Sequence, residues 1–142
     1  MMITYEECVE LGLIKRIAPS EQQAKEQMKK AKILLTEAKN NIETKNPNSA
    51  VMAGYSAALD SARALLFRDG WREKSHACVA RYIEAKYSAE FGDLIYLLDE
   101  YRDQRHRTMY SGDYYPTIDE AKKIVSFADK FVKKADEILG GK

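Results

Sequence analysis

AVMAGYSAALDSARALLFRDG, residues 50–70, is the stretch whose reading decides the fold. Val51, Tyr55, Ala58, Leu59, Ala62, Leu65 and Leu66 recur at steps of three and four, the period of one helical face. Ala50, Ala53, Gly54, Ser56, Ala57 and Ser61 are small, so neighbours can approach from other sides too. The pattern predicts a long helix, the most buried of the chain, entered at Asn46-Pro47-Asn48 with Asn48 as N-cap. Asp69-Gly70 ends it, because glycine takes the left-handed conformation that follows many helices.

Working outward, Ser20 with Gln23 opens a preceding helix that runs to about Thr44. Ala24, Met28, Ala31, Leu34, Leu35, Ala38 and Ile42 form its stripe, and Lys25, Lys29, Lys32 and Lys39 its solvated face. After Gly70, Ser75 caps a helix through Tyr87 with Val79, Tyr82 and Ile83 inward, and 88–92 reads as a loop. A helix from Asp93 carries Leu94, Leu97, Leu98 and Tyr101 on its stripe, with Arg105 next in line. Ser111 to Pro116 is a break, Thr117 with Glu120 a capping box, and the last helix ends at Gly140-Gly141. No alternating run argues for a sheet. Long amphipathic helices joined by short connections predict an all-α, up-and-down antiparallel bundle of four to five helices. Residues 1–19 form a preface, with a short helix from Tyr5 to Leu11 and a connector; residues 20–142 form the bundle.

A chain of 142 residues accommodates one ordinary domain. Its 23 basic and 22 acidic residues nearly cancel, so any hold on nucleic acid must come from a local patch. Cys8 and Cys78 are far apart, have apolar neighbours and fit no metal-ligand spacing; they read as buried free thiols. No metal and no cofactor is expected. No apolar run approaches the roughly 20 residues that span a bilayer, and the acidic N-terminus lacks a signal-peptide core, so the expected location is cytoplasmic.

Chemistry concentrates in YRDQRHRTMY, residues 101–110, with three arginines, one histidine and two tyrosines at one helix end. Arg102 and His106 share a face; Tyr101 and Arg105 share another. Cations at a helix C-terminus also suit the macrodipole without further purpose. The same residue types fit phosphate chemistry: arginine grips a phosphate bidentately, histidine moves a proton near neutral pH, and tyrosine stacks on bases. His76, at a helix start, has a proton-transfer role open to it but reads first as a surface or capping-region histidine, and Trp71 as a loop anchor. Asp60 and Arg63 are expected to pair with the arginine-rich helix and fix Arg102 or Arg105.

The stretch 50–70, the Ser75-His76 that follows, and Arg105-His106-Arg107 leading into an acidic-aromatic loop and an Ala-rich last helix together resemble the HEPN family. The resemblance covers roughly residues 20–139. It implies a bundle of four or five helices that commonly forms a homodimer and, in active members, cleaves RNA without metal across the dimer cleft. It also implies a possible minimal nucleotidyltransferase partner, in a toxin–antitoxin pair, and no membrane association. Arg105 then occupies the motif arginine and His106 the polar position after it. Tyr110 stands where the catalytic histidine falls, and a phenol with an ordinary pKa of about 10 is a poor general base at neutral pH. Arg102 to His106 can also be read as a shortened motif.

Two readings follow from the resemblance. In one, the protein binds RNA or a nucleotide in the groove, with Arg105, His106 and Tyr110 at its centre and Arg102, Arg107 and Tyr114 as contacts. In the other, it is a metal-independent endoribonuclease using Arg105 and His106. Tyr110 favours the first. A helical interaction domain whose arginines only seal a dimer interface is the third.

Overall fold

The helix expected at 50–70 is α3, Pro47–Asp69, and it packs against every other long helix. A computed structural model describes residues 2–140; Met1, Gly141 and Lys142 lie outside it, and with them the second glycine of the expected stop. In chain order the remaining elements are α1 (Tyr5–Glu10), β1 (Ile14–Arg16), α2 (Glu21–Glu43), β2 (Trp71–Glu73), α4 (His76–Phe91), α5 (Leu94–Tyr110) and α6 (Ile118–Ile138). The fold is an all-α bundle. α2 and α6 lie against α3, while α4 and α5 pack on each other and on α3. Gly54 faces α6 at close range: a Cβ there would meet Val125 at 3.6 Å, an ordinary contact that leaves room for a small side chain. Phe131 of α6 is fully buried, its ring 4.5 Å from that of Phe91 and 5.6 Å from that of Phe127.

Several local expectations are corrected. Asn46, not Asn48, is the N-cap of α3, because Pro47 already has the φ of a first helical residue. Ser75 is the N-cap of α4 but makes no capping hydrogen bond. Residues 88–91, read as loop, belong to α4, which bends at Tyr87 (φ −133°, ψ 24°) and continues so that Phe91 reaches the core. The lysine face of α2 is only partly a solvated one: Lys32 and Lys39 each meet an α6 carboxylate, Asp136 and Asp129, at 2.9 Å. Pairs this exposed contribute about 0–1 kcal/mol each.

The preface departs most from its reading. β1 and β2 form a two-stranded antiparallel ladder, with Lys15 opposite Arg72, where no sheet was expected. Three residues are too few for alternation to register in a sequence. Cys8 and Cys78 are joined in a disulfide, not free thiols, with Cα atoms 5.8 Å apart and both side chains fully buried. Their apolar neighbours were read correctly; what the spacing concealed is that α1 folds back onto the start of α4.

Gly70 is where preface and bundle meet. Its φ is +90°, its N–H caps α3 through the Leu66 and Phe67 carbonyls, and its own carbonyl accepts from the Ile17 N–H at 2.9 Å. An added Cβ would lie 2.9 Å from Pro19 Cγ and 3.0 Å from the Ile17 oxygen. Gly70→Ala should therefore destabilise the fold by about 1–3 kcal/mol. A urea-unfolding midpoint unchanged from wild type would contradict this.

Candidate functional site

α5 turns about 100° per residue, which distributes the chemistry of residues 101–110 over several faces. Tyr101 goes to the core and packs on Phe127, ring centroids 5.1 Å apart. Arg105 points toward α3: it is half-buried, and its guanidinium carbon lies 5.9 Å from the centre of the Tyr55 ring. The Arg105 Nε is buried without a hydrogen-bond partner among the described residues, and so is the Tyr55 hydroxyl. Tyr55 is 1% exposed. Burial pushes its phenol up to about 12, against the opposing pull of Arg102, Arg105 and Arg63.

Arg102 is half-buried and donates to Asp99 at 2.9 Å. The other Asp99 oxygen accepts from Arg81 of α4 at 2.5 Å, both of these side chains being buried. Arg63 does not reach α5 as expected; it donates to Asp60 at 2.8 Å and to Glu73 of β2 at 2.9 Å. The reason is positional. β2, unforeseen in the sequence, brings Glu73 to α3, and Asp60 is already one helical turn away from Arg63.

His106 is exposed and pairs with Tyr110 on the outer face of the helix, ring centroids 4.7 Å apart. Arg107 lies roughly 200° around the axis from Arg105. It covers the Tyr114 ring at 4.7 Å, and Gln104 donates to the Tyr114 hydroxyl at 3.0 Å. Of the six residues singled out, Arg102 and Arg105 converge on Tyr55, His106 and Tyr110 form an adjacent outward pair, and Arg107 with Tyr114 stands apart.

One residue was underread. His76, the first residue of α4, is half-buried, with its Nε2 3.4 Å from an Arg63 nitrogen and its ring centroid 6.2 Å from that of Tyr55. Burial lowers its pKa, and Arg63 and Arg105 lower it further against the opposing effect of Glu73. The only sequence signal was the Ser75-His76 dipeptide at a helix start, which by itself does not say what the imidazole faces. Trp71 packs beside Tyr82 with Arg16 over its ring, as an anchor would.

The junction of α3, α4 and α5 thus gathers three guanidiniums, an imidazole and a buried phenol. Such a set can bind an anion and carry a proton. Among the described residues no group of three or more His, Cys, Asp or Glu is placed to hold a metal, and no helix is long and apolar enough to cross a membrane. A family model described as HEPN domain matches residues 24–138. No curated protein matches the chain.

Proposed function

The chain belongs to the HEPN domain family, whose role lies in general with nucleotides or RNA, and from that membership we propose that it binds RNA or a nucleotide by its phosphate at the Arg105 end of α5. The observation that carries this reading is Arg105 itself. It is a half-buried cation with no ion pair and an unpartnered Nε, beside a buried hydroxyl that also lacks a partner, among the described residues. Withdrawing such groups from water is costly unless something completes their hydrogen bonds. A phosphate oxygen suits the Arg105 guanidinium.

Tyr110 supports binding without turnover, since the position expected to hold the histidine of an active motif holds a phenol. Tyr96 and Tyr110, 65% and 66% exposed, fall on the same side of α5 as His106. This outward aromatic face supports a homodimer that closes the groove. A minimal nucleotidyltransferase, in a toxin–antitoxin arrangement, is the partner the family membership favours. The second reading, a metal-independent ribonuclease, is supported by the exposed His106 next to Tyr110.

Anisotropy of a labelled single-stranded RNA in EDTA, with adenosine monophosphate as competitor, tests the first reading. Arg105→Ala should weaken binding roughly 10- to 100-fold, the loss of a charge-assisted phosphate contact. Equal affinity in wild type and variant would sink it. RNA scission by wild type in EDTA, lost in His106→Ala, would instead establish the ribonuclease.

A further inference from the structure

We propose that His76 is a titratable phosphate ligand of this site, taking up one proton from solvent when the anion arrives. The inference rests on the preceding reading and adds to it a residue from a different helix.

Geometry is the first support. Tyr55 shares its ring with both groups: the His76 centroid is 6.2 Å and the Arg105 guanidinium carbon 5.9 Å from it. The two therefore face one buried phenol from α4 and α5. The unpartnered Tyr55 hydroxyl and Arg105 Nε belong to the same cluster.

The second support is the state in which the imidazole is held. An arginine can only donate, so the 3.4 Å contact from Arg63 is a hydrogen bond when His76 Nε2 carries the lone pair and the ring proton is on Nδ1. At that length the bond is weak and easily exchanged, and Arg63 keeps much shorter contacts with Asp60 and Glu73. The charged groups facing His76 are Arg63 from α3, Glu73 from β2, and Arg105 and Arg102 from α5. Burial first, then Arg63 and Arg105, favour the neutral ring, while Asp60 offsets part of the Arg63 charge and Asp99 part of that of Arg102. A phosphate bound between them reverses that balance. Its charge offsets the guanidiniums, Nε2 gains a proton, and the resulting N–H donates to a phosphate oxygen. His106, exposed beside Tyr110, has no such surroundings.

Binding that favours the protonated form must tighten as pH falls, by the linkage that ties proton uptake to affinity. The test is a pH titration of the His76 imidazole by long-range 1H–15N NMR. It is run on the free protein, with a short oligouridylate lacking terminal phosphates, and with adenosine monophosphate. The His76 midpoint should lie below the ordinary imidazole value in the free protein and rise by about one unit or more in the complex. A one-unit shift corresponds to about tenfold tighter oligouridylate binding at low pH than at high pH. His76→Gln should abolish that tenfold gain, leaving an affinity that no longer changes between low and high pH. Binding with an unmoved His76, or a pH dependence retained in His76→Gln, overturns this inference alone. Failure of both probes to bind wild type overturns the proposed function along with it.

Discussion

Asp99→Ala should unfold this protein more readily than any surface substitution, with a loss of about 3–5 kcal/mol. Asp99 is 8% exposed and accepts from two arginines, Arg81 at 2.5 Å and Arg102 at 2.9 Å. Arg81 is itself 4% exposed, and its other neighbouring carboxylate, Glu84, stands largely in solvent at 3.3 Å. Removing Asp99 leaves a guanidinium buried between α4 and α5 with its main counter-charge gone. The penalty is that of the stranded charge, not the net worth of the pair. A double variant with leucine at both Arg81 and Asp99 should accordingly recover most of the loss. Urea unfolding distinguishes these outcomes: a single variant within 1 kcal/mol of wild type would show that the pair is solvated. Asp99→Ala also releases Arg102, so phosphate binding should weaken beyond what the fraction unfolded explains.

Breaking the Cys8–Cys78 bond should be comparable in size. It closes a loop of 70 residues in sequence. Constraining a loop of that length in the unfolded chain is worth about 4 kcal/mol. Both sulfurs are fully buried, so the Cys8→Ala, Cys78→Ala double variant keeps apolar surroundings and isolates the effect of the crosslink. Its melting temperature should fall on the order of 10 °C. Wild type treated with reductant should approach the variant, and the variant should ignore reductant. Equal melting temperatures for wild type with and without reductant, or two thiols titrated in unfolded, unreduced protein, would remove the crosslink from the account. The bond bears on the site as well: Cys78 is two residues from His76, so the tether helps hold the start of α4 against the core.

The long helices were legible because their signals are local. The stripe of α3, the capping box at Thr117 and the glycine after Asp69 each act within one or two turns, and the structure has all of them. The stripe of α5 likewise placed Arg105 toward the bundle. What failed depends on segments distant in the chain. The pairing of β1 with β2 and of Cys8 with Cys78 needs the preface to return to residues 71–78. The partners of Arg63 followed from that return, since Glu73 is on β2.

The sequence by itself determined the helical class, the family and the presence of an arginine at the inner edge of α5, because periodicity and capping are properties of neighbouring residues. Only the tertiary structure decided that Cys8 joins Cys78 and that His76 joins Tyr55 and Arg105. Those outcomes depend on which helix faces lie opposite one another. Such contacts form between residues tens of positions apart, and no local pattern encodes them.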